Sequence, residues 1–492
     1  MSSERGLVRS LGQVQAVALN MSNMVGAGPF ITIPLIIAAM GGPQCMLGWV
    51  LGAVLALSDG LVWSELSAAM PGTGGTYVYL REAFRGTALG GVLPFLFIWQ
   101  FILSAPLEIA SGYIGFAQYA GYFWPGMGAT GARLISAVVG LLVIALLYRR
   151  ISSIGKLTVV LWLGMLLTVF VVIVSGLTHF NAAIVFDFPP NAFTFNLGFV
   201  SGLGSAMLIA MYDFSGYFDV CYVAGEIRNP EKVIPRAIIW SVLAVATMYA
   251  LVNLSLIAVV PWREAMKSTF IVTEFMQRLY GARAASAVTI LVMWTAVASV
   301  FALLLGYSRI AWAAAAEGDF FSVFAKLHPT GNFPHVAVLV LGVLSILCSF
   351  FSLGDVISAL LTSRILIQFV GQIAALHVLR RRHDFVLPFR MWLYPVPSVI
   401  ALAGWLYIFA TSGWGFAGLG VATVVAGVGA YAVWQRVRGV VEQRVIGRPR
   451  ATWKVVWRWV VVGCLQVRRG DCRVMQRGPR HNVQPSWSQN RR

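Results

Sequence analysis

Charged residues are scarce in this sequence. Asp, Glu, Lys and Arg supply 11% of the 492 residues, whereas hydrophobic residues supply 59% and the mean hydropathy is +0.79. Soluble domains carry about 25% charged residues, so this composition excludes an ordinary soluble globular protein. The chain instead contains a succession of apolar runs close to the ~20 residues that a helix needs to cross a bilayer. We therefore predict an all-α, polytopic membrane protein.

Motifs for catalysis, metal binding and redox chemistry are also lacking. The five cysteines are scattered without a CxxC pair, and the six histidines form no HExxH motif. The GxSxG motif and the P-loop motif of nucleotide-binding proteins are absent as well. The sequence therefore predicts no disulfide framework, no metal site, no cofactor and no enzymatic centre.

The formal net charge of +18 comes mostly from the C-terminal end of the chain. Residues 436–492 contain 14 basic and 2 acidic residues, so this segment alone contributes +12. Because the excess lies in one tail, it does not indicate a nucleic-acid partner. We expect a disordered cytoplasmic extension, and the alternative is a short helix at residues 453–459 that lies on an anionic lipid surface.

Twelve apolar runs are candidates for membrane-spanning helices, within one domain at residues 11–435 that follows a short cytoplasmic segment at residues 1–10. The runs are Leu11–Met40, Met46–Met70, Leu89–Tyr119, Leu134–Tyr148, Leu157–Leu177, Leu197–Tyr222, Ala237–Val260, Ala284–Tyr307, Val336–Phe351, Val356–Val378, Tyr394–Ala410 and Phe416–Trp434. The fourth and ninth runs are short for a span and need flanking residues to cross a bilayer.

Basic residues predict the orientation of these spans. If both termini are cytoplasmic, the 22 Lys and Arg before residue 436 divide into 16 in cytoplasmic segments, 5 in external segments and Arg364 inside a span. Such a bias follows the positive-inside rule, so we predict a multi-pass protein of the cell (inner) membrane with both termini cytoplasmic. Arg364, Asp59 and Asp355 are expected to face the interior of the bundle, because exposure of a charge to lipid is costly.

Two of the twelve spans are interrupted. The first contains Gly26, Gly28 and Pro29 within the stretch Asn23–Phe30, and the sixth contains the stretch Met211–Asp219. Inside hydrocarbon, unwound backbone persists only where it is buried in protein or lines a cavity, and secondary transporters build substrate sites in this way. Breaks in spans one and six predict two inverted five-helix repeats, at about 11–177 and 197–378, with two extra helices at 394–434.

The first break has the chemistry of an anion receptor. Proline at the first position of a helix loses no hydrogen bond, so Pro29 is expected to start the second half of the span. The N–H groups of Ala27 and Gly28 then lie at the positive end of a helix dipole and point toward a carboxylate. The alternative is a glycine packing notch and a proline kink between close helices.

Several short blocks occur in an order that resembles one known family. They are Asn23–Phe30 with Pro34, Gly41–Pro43, Glu65–Ser67, Pro71–Leu80, Phe214–Tyr217, Gly225–Pro230, Ile234–Ala237, Ser308–Arg309, Ala315–Asp319 and Leu327–Pro329. Over roughly residues 11–436, the chain resembles the amino acid, polyamine and organocation permease superfamily, in particular its bacterial amino acid permeases with the LeuT-like inverted-repeat fold.

The resemblance implies a secondary active transporter that moves amino acids by alternating access, coupled to protons or by exchange. Its partners are then the small-molecule substrate, amino acid or polyamine, a coupling proton and membrane lipid. The first alternative is an antiporter of polyamines or basic amino acids. Another is a transport-dead sensor or a channel, although a channel needs a continuous polar lining that these few charges do not supply.

The resemblance also implies which residues bind the substrate. In relatives, the carboxylate meets the backbone of the first break and the amino group meets carbonyls of the sixth helix. The residues implied here are Asn23, Val25, Gly26, Ala27, Gly28, Met211, Tyr212, Asp213, Phe214, Ser215, Gly216 and Tyr217, with Glu108 and Ser363 as additional lining. Among these, Phe214 and Tyr217 are either an aromatic gate or ordinary core. Glu226 and Arg228 are candidates for a cytoplasmic gate, with structural pairing as the alternative.

Asp213 departs from the family pattern, in which this position is small or aromatic. A carboxylate at the bilayer centre costs about 2.5 to 3.5 kcal/mol, so it should face a cavity or a partner. Three interpretations remain open: it binds the cationic end of a substrate, it carries a coupling proton, or it caps the second half of helix six by accepting backbone N–H bonds.

Overall fold

The computed structural model describes residues 11–72, 74–148, 154–329 and 333–446, without the side chains of residues 154–162, 226 and 437–446. Within these ranges the chain is helical, apart from turns and an isolated bridge between Leu11 and Ile227. The prediction of an all-α protein is confirmed to that extent. The expected N-terminal segment and residues 447–492 of the expected tail lie outside the described residues, whereas residues 436–446, which were predicted as the start of a disordered tail, are helical.

Nineteen α-helices follow one another along the described part of the chain. They are α1 (Gln13–Met24), α2 (Gly28–Ile31), α3 (Ile33–Met40), α4 (Met46–Ala69), α5 (Thr76–Ala83), α6 (Leu89–Ala120), α7 (Ala129–Leu147), α8 (Ile154–Thr178), α9 (Ala182–Val185), α10 (Leu197–Phe214), α11 (Pro230–Ile257), α12 (Trp262–Ala265), α13 (Ile271–Tyr280), α14 (Ala282–Ala316), α15 (His335–Cys348), α16 (Leu353–Arg364), α17 (Gly371–Arg380), α18 (Val396–Thr411) and α19 (Trp414–Ile446).

Eight of the described helices are long and apolar enough to cross a membrane. The bent pair Gln13–Ile31 and Ile33–Met40 makes a ninth candidate, and three shorter apolar helices are Leu163–Thr178, His335–Cys348 and Val396–Thr411. The protein is therefore a multi-pass membrane protein. Every predicted run contains or overlaps one of these helices, whereas the short helices α5 and α13 between spans were not predicted.

The first span is broken where the sequence predicts. α1 ends at Met24, residues 25–27 are not helical, and α2 begins at Gly28 with Pro29 in its first turn. A second bend of 61° follows at Thr32, before α3. Pro34 lies in the first turn of α3, where its missing N–H costs no hydrogen bond.

The sixth span breaks later than the sequence predicts. α10 stays helical through Phe214, so the prediction that Met211, Tyr212 and Asp213 are unwound is wrong. The chain leaves the helix at Ser215, and Gly216 has a φ of 115°. Only glycine adopts that conformation without strain, whereas the three preceding residues fit a helix. The break is thus set by Gly216, and Asp213 lies in the last turn of a helix.

The tenth span contains a feature with no counterpart in the sequence analysis. α16 ends at Arg364 and a π-helical segment, Ile365–Val370, joins it to α17. Asp59 and Arg364 are buried as predicted, at 0% and 2% exposure. The prediction for Asp355 is wrong, because its side chain is exposed in the first turn of α16, beside the capping Ser352.

Long helices surround the two breaks. α1 packs against α11, α10 packs against α3 and α4, and α6 contacts both α14 and α16. A Cβ added to Gly26 would lie 2.6 Å from Ser299 Oγ, so the first break also presses against α14. This packing leaves the breaks enclosed by α6, α11 and α14, away from lipid.

Candidate functional site

Tyr249 on α11 ties the two broken spans together. Its hydroxyl oxygen lies 2.6 Å from the backbone carbonyl oxygen of Met24 and 3.0 Å from that of Asp213, so the two acceptors share its single proton. Both carbonyls belong to helix ends, where backbone acceptors lose their helical partners. One buried side chain therefore satisfies acceptors that hydrocarbon would leave unpaired.

We expect Tyr249→Phe to lower stability by about 1 to 3 kcal/mol, because two buried carbonyls would lose the donor that they share. The measurement is thermal unfolding of the purified protein in detergent. Tyr113→Phe is the matched control, since the buried hydroxyl of Tyr113 has no hydrogen-bond partner among the described residues. Equal melting temperatures for the two variants would contradict the role of Tyr249.

Two asparagines of α1 connect the first span to the segment after the sixth break. Asn20 Nδ2 donates to the carbonyl of Tyr217 at 2.6 Å, and Asn20 Oδ1 accepts the N–H of Val220 at 2.9 Å. Asn23 Nδ2 donates to Asp219 Oδ2 at 2.7 Å. Asn20 was not among the predicted residues. The sequence did contain a signal, because a second asparagine lies less than one turn before Asn23 in an apolar run.

The Asp213 carboxylate lies against the first span. Thr32 Oγ1 donates to its Oδ2 at 2.6 Å, whereas its Oδ1 has no hydrogen-bond partner among the described residues. Oδ1 occupies the space into which a Cβ on Gly28 would project. The capping interpretation of Asp213 is wrong, because its described partner is the Thr32 hydroxyl and not a backbone N–H of helix six. The substrate and proton interpretations stay open.

A small cavity of about 20 Å³ lies between the two breaks. It is lined by Asn23, Met24, Gly26, Gly28, Glu108, Tyr212, Asp213, Ser215, Ser299 and Leu303. Seven of these ten were predicted as binding or lining residues, and Met24, Ser299 and Leu303 were not. Such a volume accommodates about one water molecule.

Backbone donors in the first break divide into two groups. The N–H of Val25 bonds to Met21 O at 2.8 Å, and the N–H of Gly26 bonds to Met24 O at 2.9 Å. The N–H groups of Ala27 and Gly28 make no hydrogen bond within the described residues. Because α2 is only one turn long, its dipole is small and direct hydrogen bonding is the main attraction for an anion.

Glu108 forms a buried ion pair across the cavity wall. Its Oε2 lies 2.8 Å from Arg364 Nη2 and accepts the hydroxyl of Tyr307 at 2.6 Å. Arg364 Nε donates to Ser104 Oγ at 2.9 Å. Ser363 does not line the cavity, because its hydroxyl donates back to the carbonyl of Leu360 at 2.8 Å.

The two aromatic candidates for a gate point away from the cavity. Phe214 packs against Trp49 and Tyr249, with ring centroids 6.1 and 5.5 Å apart. Tyr217 donates its hydroxyl to Asp59 Oδ2 at 2.5 Å. Neither side chain lines the cavity, and both arrangements favour the core-packing alternative. Of the other predicted residues, Val25, Ala27, Met211 and Gly216 flank the cavity without lining it.

The predicted gate residues lie in the segment between α10 and α11. Arg228 is exposed, and its backbone N–H donates to Leu11 O at 2.9 Å; the side chain of Glu226 lies outside the described residues. A different ion pair joins helix ends elsewhere on the molecule, where Arg81 Nη1 of α5 lies 3.1 Å from Glu317 Oε2, just after α14. Sequence spacing gave no sign of that pair.

A larger cavity of about 190 Å³ lies beside the C-terminal end of α3 and the segment 189–199. Its lining contains no charged side chain and includes Gln44, Asn191 and Thr194. It is separate from both breaks and none of the predicted binding residues contributes to it.

Known proteins resemble this chain in sequence over most of its length. The sequence model of a family described as amino acid permease matches residues 11–462. The serine/threonine exchanger SteT of Bacillus subtilis is 25% identical over 422 residues, which cover 84% of this chain and 92% of that protein. The human cystine/glutamate transporter is 26% identical over 437 residues, 86% of this chain and 85% of its own. The branched-chain amino acid permease BcaP of Bacillus subtilis is 24% identical over 431 residues, 84% of this chain and 90% of its own.

Proposed function

The chain belongs to the amino acid permease family and is a secondary amino acid transporter rather than an enzyme, and from this premise we propose that its substrate binds between the two helix breaks. The α-carboxylate of the substrate accepts hydrogen bonds from the N–H groups of Ala27 and Gly28. The α-amino group binds Asp213 Oδ1 and the negative end of α10. The observation that carries the proposal is the cavity wall at Gly28, whose unused N–H adjoins a carboxylate oxygen of Asp213 without a partner among the described residues, with the unused N–H of Ala27 next to it in the chain.

Twelve spans and an inverted repeat are part of the proposal. The nine candidate spans and three shorter apolar helices coincide in position with the twelve apolar runs, which supports this count. Breaks in the first and sixth spans support two five-helix repeats, with α18 and α19 outside them. The distribution of basic residues supports an inner-membrane protein with cytoplasmic termini.

Transport then proceeds by alternating access. A cavity of about 20 Å³ is smaller than any amino acid, so binding and release need conformations that open it to one side at a time. We propose exchange or proton symport as the source of energy. Exchange agrees with the name of the serine/threonine exchanger among the relatives, and Asp213 is the residue in the cavity that can carry a proton. The names of the relatives give less support to a polyamine antiporter.

Uptake into proteoliposomes tests the proposal. We expect the purified protein to move at least one of radiolabelled serine, alanine and leucine into vesicles, with arginine and putrescine as the competing substrates. Uptake that needs internal unlabelled amino acid indicates exchange, whereas uptake driven by an imposed pH gradient indicates symport. If no labelled amino acid or amine moves under either condition, a transport-dead sensor replaces the transporter.

A further inference from the structure

The ion pair between Glu108 and Arg364 is almost completely buried. The side chains are 8% and 2% exposed, and the closest charged atoms are 2.8 Å apart. Tyr307 and Ser104 add hydrogen bonds to the two partners at 2.6 and 2.9 Å. Burying two charges costs solvation energy that an apolar pair would not lose, so stability alone is a weak reason for such a pair. Its position beside the cavity suggests another role.

The charges that line the cavity are almost balanced by the protein itself. Glu108 and Asp213 are the acidic residues of the cavity lining, and that lining contains no basic residue. Arg364 neutralises Glu108 from behind, on the neighbouring helix α16. In the proposed binding mode, the α-amino group of the substrate neutralises Asp213. No charge of the cavity lining is then left over to pair with a charged substrate side chain; the buried Asp219 lies outside the lining and accepts a hydrogen bond from Asn23.

The backbone next to Arg364 is specialised as well. The π-helical segment Ile365–Val370 begins at the following residue. Such wide turns occur mostly as single insertions in α-helices, often at functional sites. Gln368 of this segment accepts a hydrogen bond from Gln100 of α6 at 3.4 Å, so a second polar contact joins the same two spans. The contact between spans three and ten is therefore polar over more than one turn.

We infer that the Glu108–Arg364 pair is a charge filter that restricts transport to amino acids with uncharged side chains. The inference rests on the proposed function, because it assigns the side-chain subsite of the same cavity. A cationic or anionic side chain would enter a site of low dielectric constant without a counter-ion. Glu108 and Arg364 are each occupied by the other, so the protein discriminates by offering no free charge.

Single substitutions of Glu108 and Arg364 should change the substrate preference in opposite directions. Arg364→Gln frees the Glu108 carboxylate, and we expect the ratio of lysine uptake to alanine uptake to rise about tenfold or more. Glu108→Gln frees the Arg364 guanidinium, and we expect the ratio of glutamate uptake to alanine uptake to rise by a similar factor. Both ratios are measured in proteoliposomes from initial rates. The double variant E108Q/R364Q restores charge balance and should keep the wild-type preference.

The matched control is another ion pair with a buried carboxylate. Arg380 donates to both oxygens of Glu65 at 2.6 Å, and neither residue lines the cavity. Arg380→Gln should leave both uptake ratios unchanged. Alanine uptake by the wild type shows that the proposed function holds, so unchanged ratios in both single variants overturn the filter alone. Should the single variants fail to fold, the wild type and the double variant still test the filter, because transport of lysine or glutamate by either protein overturns it.

Discussion

Replacement of Gly28 by alanine should lower the initial rate of amino acid uptake about a hundredfold, which is the effect of a displacement of about 1 Å in a binding site. The new methyl group would occupy the position of Asp213 Oδ1, and that carboxylate is held by Thr32. Either the backbone of Gly28 or the Asp213 carboxylate must move to make room, and both residues line the cavity. Overpacking of this kind also lowers stability by about 1 to 3 kcal/mol.

Gly306→Ala is the control for Gly28→Ala. Gly306 lies in α14, and nothing lies within 4 Å of a Cβ added there. We expect normal uptake and an unchanged or slightly higher melting temperature, because alanine favours a helix. Uptake is measured in proteoliposomes and melting in detergent. A wild-type rate for Gly28→Ala would show that the space between Gly28 and Asp213 is not part of the site.

The second large effect is expected for Asp213→Asn. The amide keeps the shape and can still accept a hydrogen bond from Thr32, but it removes the charge that pairs with the substrate ammonium. A charge-assisted hydrogen bond is worth about 1.5 to 3 kcal/mol, so the KM for amino acids should rise roughly ten- to a hundredfold. Exchange and gradient-driven uptake should be affected alike, since both need the bound substrate.

Asp384→Asn serves as the control for Asp213→Asn, because Asp384 is an exposed residue that pairs with Arg382 at 2.8 Å. We expect wild-type kinetics for this variant. A different outcome would separate the two remaining interpretations of Asp213. If Asp213→Asn keeps its KM in exchange but no longer responds to a pH gradient, the residue carries the coupling proton and does not bind the ammonium group.

The two breaks show what sequence reasoning can and cannot predict. The first break follows from Gly26, Gly28 and Pro29, whose backbone preferences act locally, and the structure places it at residues 25–27. The second break was placed too early, because residues 211–213 carry no strong local signal. Their helical state depends on packing and on the position of Gly216, whose φ of 115° ends the helix.

For the charged residues too, the sequence predicts some features and not others. The sequence indicates that Arg364 is buried, since an arginine in an apolar run avoids lipid. It does not indicate the partner, because Glu108 is 256 positions away along the chain. Asp355 lay in an equally apolar context, yet the cap formed by Ser352 puts it at an exposed helix start. Whether a charged side chain is buried or exposed therefore depends on how the helices pack together.

By itself the sequence determined the class of protein, the approximate positions of the helices and the first break, because hydropathy and the backbone preferences of glycine and proline are local properties. Only the tertiary structure decided which residues share the cavity. Ser299 lines it from α14, whereas Thr32, Tyr249 and Arg364 contact the lining residues Asp213 and Glu108 from other parts of the chain, and no periodicity relates these residues. The possible anion receptor was predicted from the single segment Asn23–Phe30. The pairing of Glu108 with Arg364 beside it depends on the packing of helices that are distant in the sequence.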